Sequence, residues 1–276
     1  MNSVYDINEL FPVIDEYKEI YEKQLTQGLA TAEYKKVVVL CLARNISQYY
    51  KYALRKTRLL LENFHTESSV YIYENDSIDN TLDLIKEHIN KHPGYENFHI
   101  FSEQLGTPVM PLSKSTIRTT NMANARNKCY KLIDNPDNFD YVIVLDLDFI
   151  DISINGLLNS FGWLENNANI SAMSGVSYIK SPNIVSQYQN YDSFAFRLNY
   201  WKYREMLWYA FFNLPIGTNP IAVNSAFGGS CIYRREQYKP LYAGNDCEHV
   251  ELHKNLTTIN DNFRMYCNPS QIMLVD

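Results

Sequence analysis

Residues 141–149, YVIVLDLDF, constrain the fold of this chain more than any other stretch. Five apolar residues without a break predict a strand buried on both faces, as in a parallel sheet. Asp146 and Asp148 follow at its carboxyl end. Because residues i and i+2 of a strand point to the same side, the two carboxylates can reach one point. Ligands bind at this edge of open α/β sheets, so the pair lies where a ligand would be.

The chemistry of this pair leaves two interpretations open. Adjacent carboxylates offer the hard oxygen ligands that Mg²⁺ and Mn²⁺ prefer, and such ions usually bind together with substrate phosphates. A strand that ends in a solvated turn would carry the same letters, since aspartate is common in turns. A D-x-D motif by itself favours the turn, so other motifs in the chain are needed to distinguish a metal site from a turn.

Predicted strands and helices alternate through the first 150 residues. Strands at 36–43, 70–73, 98–101 and 141–145 are separated by helices at about 47–64, 78–91 and 117–133. This alternation predicts a parallel sheet with helices on both faces. Ser77 is predicted to cap the second of these helices, with Asp79 in its first turn. An amphipathic helix or helix pair at residues 5–29, broken near Pro12, precedes the sheet and is expected to pack on its outside.

The second half of the chain is less regular. Helices are predicted at 155–166 and 247–258, and strands at 170–178, 221–227, 230–234 and 263–267. Between them lies a very aromatic stretch, residues 191–213. Tyr191, Asp192 and Trp201 in this stretch could form a platform for a sugar, but aromatic side chains also fill cores.

Composition excludes several classes of protein. The chain has 276 residues, 46% hydrophobic and 20% charged, which is typical of a globular enzyme. Its net charge is −6 and it has no basic tract, so we expect no nucleic-acid partner. No apolar run is long enough to predict a membrane span. Five scattered cysteines, an odd number without a C-x-x-C pair, favour reduced thiols and a cytoplasmic location. The oligomeric state cannot be predicted.

Four strand ends carry polar residues at the edge where a doubly wound sheet binds its ligand. They are Arg44-Asn45, Glu74-Asn75-Asp76, the Asp146/Asp148 pair and Asn224-Ser225. The series VVVLCLARN, YIYENDSxDNT, AxARN and VLDLD resembles the nucleotide-sugar half of a GT-A glycosyltransferase. The segments NSAFGGSCIYR and CEHVELH resemble the fungal capsule-associated mannosyltransferase family and its bacterial and viral relatives. The resemblance covers about residues 36–270.

The resemblance implies a fold and a domain plan. The fold would be a GT-A, Rossmann-like α/β domain, with a doubly wound mixed sheet and helices on both faces. Residues 1–34 would form an N-terminal helical extension and residues 35–276 a single domain. Within that domain, residues 35–150 would bind the nucleotide sugar and residues 151–276 the acceptor.

The resemblance also implies roles for residues of the nucleotide-sugar half. Arg44, Glu74 and Asp76 would contact the nucleotide. Asp79 could do the same, although its place at a helix start explains it equally well. Arg126 would reach the diphosphate or donor sugar, or else form a surface ion pair. Asp146 would bind the nucleotide or the metal, and Asp148 the metal, as Mn²⁺ or Mg²⁺. In the other half of the domain, Gly228 and Gly229 would let the backbone approach a sugar, or simply form a turn or bulge.

The helix at 247–258 carries the remaining candidates. His249 and His253 are four residues apart and share a helix face, as metal-binding histidines do. By the resemblance, His253 is the best candidate for a third metal ligand and His249 the second. Glu248 would be the acidic residue that takes the acceptor proton as general base, or that positions the acceptor in a retaining enzyme. The same residues would also be found at a solvated helix start, where acidic side chains are favoured without any catalytic role.

The function predicted from these observations is metal-dependent transfer of a sugar from a nucleoside diphosphate-sugar to a glycan or other hydroxyl acceptor. A haloacid dehalogenase-type phosphatase is one alternative, since D-x-D follows a strand and Gly244-Asn245-Asp246 comes later. That class expects the motif on the first strand and Thr or Val at the position of Ile150. A glycan-binding GT-A scaffold without activity is the other alternative, and it predicts a missing metal ligand.

Overall fold

One sheet of ten strands runs through the described residues, 7–109, 114–180, 188–203 and 214–276, of the computed structural model. The strands are β1 (Val37–Ala43), β2 (Ser69–Asn75), β3 (Phe98–Glu103), β4 (Tyr141–Asp146), β5 (Asp151–Ile152), β6 (Ala172–Lys180), β7 (Tyr188–Asn190), β8 (Ile221–Val223), β9 (Ser230–Arg234) and β10 (Met265–Val275). The helices are α1 (Ile7–Leu10), α2 (Lys18–Ala32), α3 (Tyr50–Leu61), α4 (Thr81–Lys91), α5 (Thr116–Lys131), α6 (Ile154–Asn166) and α7 (Glu248–Ile259).

The first half of the sheet is parallel, in the order β3-β2-β1-β4. Alternate residues of β1 enter two different hydrophobic cores: Val37 and Val39 pack into one, Val38 and Leu40 into the other. Both faces of the strand are therefore buried, which is why its sequence is apolar without a break. The predicted alternation of strands and helices is confirmed.

Beyond β4 the sheet becomes mixed. Strand β9 is antiparallel to both β4 and β6, and β10 is parallel to β6 but antiparallel to β5 and β8. Strand β10 continues well past the predicted end at residue 267, because a register shift between Cys267 and Ile272 accommodates Pro269. The buried amide of Asn268 in this irregularity donates to Asn159 and Ser160 of α6. The predicted mixed α/β fold is confirmed.

The N-terminal helix α2 lies against α6. A Cβ atom on Gly28 would be 1.9 Å from the carbonyl oxygen of Leu158, and one on Gly162 would be 1.9 Å from that of Gln24. The two backbones approach this closely only because both positions lack a side chain. None of the helices in the described ranges has the length and apolarity to cross a membrane. Residues 204–213 of the aromatic stretch lie outside the described residues.

Candidate active site

Asp146 and Asp148 lie at the carboxyl end of β4, as predicted. Strand β4 ends at Asp146, whose side chain is 29% exposed, and Asp148 follows as an exposed residue. The backbone N–H of Asp146 donates to the carbonyl oxygen of Gly229 at 2.9 Å, which fixes the strand end. Burial raises the pKa of Asp146 to about 7, against the attraction of Arg126, and the charge of Asp148 adds to the rise. Two carboxylates thus crowd the same edge of the sheet.

Arg126 connects this edge to the acidic residue of α7. Its side chain is only 4% exposed; Nη2 donates to Oδ1 of Asp146 at 2.9 Å, and Nε donates to Oε1 of Glu248 at 3.2 Å. The guanidinium lies 5.0 Å from the centre of the Phe227 ring. Burial alone would lower the pKa of Arg126, but the charges of Asp146 and Glu248 outweigh it and raise that pKa well above its usual value. The three side chains therefore form a charged triad around a buried guanidinium.

Glu248 is the first residue of α7 and is 6% exposed. A carboxylate is favoured there by the helix dipole. The preceding residues hold this helix start, because Oδ1 of Asp246 accepts from the N–H of Cys247 at 2.7 Å. Nη2 of Arg197, a fully buried side chain, donates to both oxygens of Asp246 at 3.0 and 2.9 Å. The aspartate on which the phosphatase alternative depends thus binds an arginine of its own chain.

Arg197 also organises the segment before the undescribed residues 204–213. Its Nε donates to the carbonyl oxygen of Trp201, and its Nη1 donates to those of Phe194 and Phe196. Sequence analysis missed this residue, because a single arginine within an aromatic stretch gives no sign that it is buried. Segment 194–201 and the start of α7 are consequently joined through one side chain.

His253 does not meet the two aspartates, which corrects its assignment as third metal ligand. It is fully buried, with Nδ1 2.8 Å from the hydroxyl of Ser225 and Nε2 2.7 Å from that of Tyr233. Burial lowers the pKa of His253 to about 3, so the ring is neutral. The hydroxyls of Ser225 and Tyr233 provide hydrogen-bond partners for both of its nitrogens. Within the described part of the chain, no three His, Cys, Asp or Glu side chains converge as a metal-binding group.

His249, the second choice, is also buried. Its ring stacks on Phe227 with centroids 3.6 Å apart, and its Nε2 lies 3.7 Å from Oε1 of Glu248. Neither ring nitrogen forms a hydrogen bond with another described residue. Burial, with the nearby charge of Arg126, lowers the pKa of His249 well below its usual value. It therefore packs as a neutral ring beneath the charged triad.

The two glycines form a buried turn beside Asp146. Gly228 has φ of 58° and Gly229 of 78°, a region that favours glycine. A Cβ on Gly228 would lie 2.4 Å from the carbonyl oxygen of Gly175. The N–H of Gly228 donates to Oδ2 of Asp192 at 3.1 Å, so Asp192 is a further acid at this site. Backbone packing is sufficient to explain both glycines, and their approach to a sugar stays a prediction.

Asp76 and Arg44 both hold the loop that follows β3. Oδ1 of Asp76 accepts from the N–H groups of Leu105 and Gly106 at 2.6 and 2.9 Å, and Oδ2 accepts from that of Thr107 at 3.0 Å. Nη2 of Arg44 donates to the carbonyl oxygen of Thr107. The backbone of Asp76 has φ of 52°, which turns its side chain toward this loop. Contact of either residue with a nucleotide remains a prediction.

Glu74 and Asp79 bind neighbouring backbone. Oε1 of the fully buried Glu74 accepts from the N–H of Ser77 at 2.9 Å. The carboxylate of Asp79 accepts from the N–H groups of Thr81 and Ser47 at 3.0 and 3.2 Å. The predicted cap by Ser77 is wrong: α4 begins at Thr81, and the hydroxyl of Ser77 accepts from the N–H of Asn45. These acids stabilise the loops after β1 and β2.

The hydrogen bonds that Asp76 accepts from the loop after β3 should make a contribution to stability that is lost in acid. Burial opposes ionisation, but hydrogen bonds from Asn75, Thr107, Gly106 and Leu105 outweigh it and lower the pKa of Asp76 to about 2. Because the folded-state pKa is depressed, this contribution is present above about pH 4 and is lost as pH falls toward 2. After solvent screening we expect about 1 kcal/mol.

Urea unfolding of Asp76→Asn from neutral pH down to pH 2 checks this expectation. The variant should lose less stability on acidification than the wild type, and Asn substitution at the exposed Asp134 should leave the pH profile unchanged. Identical profiles for wild type and Asp76→Asn would contradict it.

Comparison with known proteins places the fold. No family model matches the sequence, and no curated protein matches it significantly. Among solved structures, mannosyltransferase PcManGT from Pyrobaculum calidifontis, in complex with GDP-Man and Mn²⁺, is similar with a TM-score of 0.53 and 13% identity. That similarity covers 94% of this chain and 65% of PcManGT, so the chain spans less than two thirds of that protein.

Two further structures show the same fold. Glucosyl-3-phosphoglycerate synthase from Mycobacterium tuberculosis, with Mn²⁺, UDP and phosphoglyceric acid, has a TM-score of 0.51 at 12% identity, over 91% of this chain and 73% of its own. GalNAc-T7, with UDP, GalNAc and Mn²⁺, has a TM-score of 0.53 at 10% identity, over 87% and 44%. The fold of this chain is that of the GT-A glycosyltransferases, as predicted. The comparisons do not single out the capsule-associated family.

Proposed function

We propose that this protein is a metal-dependent glycosyltransferase that moves a sugar from a nucleoside diphosphate-sugar to a hydroxyl acceptor such as a glycan. The observation that carries the proposal is the triad of Asp146, Arg126 and Glu248 at the carboxyl edge of a GT-A fold. Arg126 contacts both Asp146, which is predicted to bind the donor, and Glu248, which is predicted to act on the acceptor. A surface turn would not need a buried guanidinium between its acids.

The donor side fits a divalent cation. Asp146 and Asp148 are oxygen ligands at a strand end, and both are accessible to solvent. Burial raises the pKa of Asp146, and the charge of Asp148 adds to that rise; a bound cation would offset the repulsion between the two carboxylates. Mg²⁺ and Mn²⁺ commonly bind through one or two carboxylates together with substrate phosphates, so two carboxylates suffice. When bound, the ion would act as a Lewis acid toward the charge that develops on the leaving nucleoside diphosphate.

The chain's own residues supply the remaining chemistry. The Arg126 guanidinium, held between two acids, offers a fixed positive charge near the diphosphate. Glu248 would accept the proton of the acceptor hydroxyl in an inverting reaction, or orient the acceptor in a retaining one. Arg44, Glu74 and Asp76 would contact the nucleotide from the ends of β1 and β2. Residues 35–276 would constitute the catalytic domain, with its donor part in residues 35–150.

A donor panel tests the proposal. The full chain is incubated with Mn²⁺ and, separately, GDP-mannose, UDP-glucose and UDP-N-acetylglucosamine, and release of the nucleoside diphosphate is followed. GDP-mannose comes first, because the sequence resembles mannosyltransferases and PcManGT was solved with GDP-Man. We expect metal-dependent hydrolysis of at least one donor. If no donor is hydrolysed and calorimetry detects no Mn²⁺-dependent nucleotide binding, the proposal is wrong, and the alternative of an inactive glycan-binding scaffold would be favoured.

A further inference from the structure

A cavity of about 320 Å³ opens along α5, on the side away from the charged triad. Asn121, Asn124, Lys128 and Lys131 of α5 line it. At 100° per residue, these four positions fall within about 80° of one another around the helix axis. Arg126 lies about 140–160° from each of them. The helix thus presents Arg126 to the triad and a different face to this cavity, which we call the α5 pocket.

The opposite wall of the α5 pocket is held in place by residues already described. Tyr73 and Asn75 at the end of β2, with Leu105 and Thr107 of the loop after β3, form this wall. The loop cannot move freely, because three of its N–H groups donate to Asp76 and one of its carbonyls accepts from Arg44. The pocket is therefore pre-formed, which reduces the entropy lost when a ligand binds.

The charge of the lining is opposite to that of the protein. Lys128 pairs with Glu103, while Lys131 forms no ion pair with any described carboxylate. None of the described residues that line the pocket is an aspartate or glutamate, although the whole chain has a net charge of −6. Glu103 also accepts from the hydroxyl of Tyr73 at the pocket wall, so Lys131 is the ammonium group that no described acid neutralises, and it favours an anionic ligand.

The amides of the lining favour hydroxyl groups. No hydrogen bond connects the side chains of Asn121 or Asn124 to other described residues. Each amide offers two N–H donors and one acceptor oxygen, which matches a hydroxyl that both donates and accepts. Asn127, by contrast, uses its amide to bind the backbone of Tyr242. The volume lies in the range of small-molecule pockets and accommodates a monosaccharide.

We propose that the α5 pocket binds an anionic saccharide, one that carries a phosphate or carboxylate group, at a site separate from the donor. Lys131 and Lys128 would bind the anionic group, and Asn121 and Asn124 the hydroxyls. The site would need no metal, since its ligands are ammonium and amide groups. This proposal goes beyond the proposed sugar transfer, because transfer at the triad does not require a ligand in the α5 pocket.

Calorimetric titration of the full chain tests this, with glucose 6-phosphate and glucuronate as probes and EDTA present. Both probes should bind, and glucose itself should bind at least about tenfold more weakly, as expected for the loss of one charge-assisted contact. Lys131→Ala and Asn124→Asp should each weaken glucose 6-phosphate binding about tenfold or more. Both positions are exposed, so the fold should survive, and Ala substitution at the exposed Lys86 of α4 is the matched control.

Three outcomes would overturn the proposal: equal affinity for glucose and glucose 6-phosphate, no effect of either pocket variant, or an equal effect of Lys86→Ala. Competition with UDP and GDP tests the separation from the donor. Simultaneous binding supports a second site, whereas displacement of glucose 6-phosphate by the nucleotide would assign the pocket to the donor and overturn it. Retention of glucose 6-phosphate binding in Asp148→Ala separates this result from any failure of the proposed function.

Discussion

Replacement of Asp148 by alanine is expected to abolish Mn²⁺-dependent nucleotide binding and to leave the fold intact. Asp148 is exposed, so its removal opens no cavity. It leaves a single carboxylate, Asp146, at the strand end, and this residue is already paired with Arg126. One carboxylate in an ion pair is a poor site for a divalent cation, whose affinity depends on the number of charged ligands.

Calorimetry with UDP or GDP, with and without Mn²⁺, measures this effect, and thermal unfolding checks the fold. Alanine in place of Asp83, an exposed aspartate on α4, is the matched control and should bind nucleotide as the wild type does. If Asp148→Ala binds nucleotide with unchanged affinity and metal dependence, the assignment of the metal to this strand end is wrong.

Replacement of Arg126 by methionine should destabilise the protein by about 3–5 kcal/mol, because removing one partner of a buried ionic network leaves the others uncompensated. Asp146 and Glu248 would both lose their hydrogen bonds to the guanidinium. Chemical denaturation measures the stability. Donor hydrolysis should also fall, since the fixed positive charge at the site is gone.

Two companion variants separate the loss of charge from the loss of geometry. Arg126→Lys keeps the positive charge but loses the second donor nitrogen. The stability of this variant should therefore lie between that of Arg126→Met and that of the wild type. Glu248→Gln added to Arg126→Met should cost less than the sum of the single changes, because one uncompensated acid is removed. If Arg126→Met is as stable as the wild type, the triad does not contribute to folding as the contacts imply.

The parallel half of the fold was predictable because burial on both faces leaves a plain mark on the sequence. Strands β1 and β4 are apolar at consecutive positions, and polar residues mark their ends. The placement of Asp146 and Asp148 followed from the same pattern. Strand β10 was harder, because Pro269 normally marks the end of a strand and only the register shift reconciles it with pairing.

Contacts between distant segments were not predictable. The sequence places Arg126 on the helix before β4, but its bond to Glu248 spans 122 residues. The i, i+4 spacing of His249 and His253 indicates a shared helix face and does not distinguish a metal from core hydroxyls such as that of Tyr233. Likewise, an acid at a strand end does not reveal that Asp76 turns, through a positive φ, to hold a loop about 30 residues later.

The triad also limits how this chain can be recombined with related folds. Arg126 and Asp146 belong to the first 150 residues, whereas Glu248 belongs to the last 30. A chimera joined near residue 150 would supply a new acidic or neutral partner to an arginine that is only 4% exposed to solvent. Exchange of the second half would therefore succeed only if the replacement segment carries a carboxylate at the position of Glu248, the first residue of α7. This requirement would hold whichever sugar acceptor the replacement segment binds.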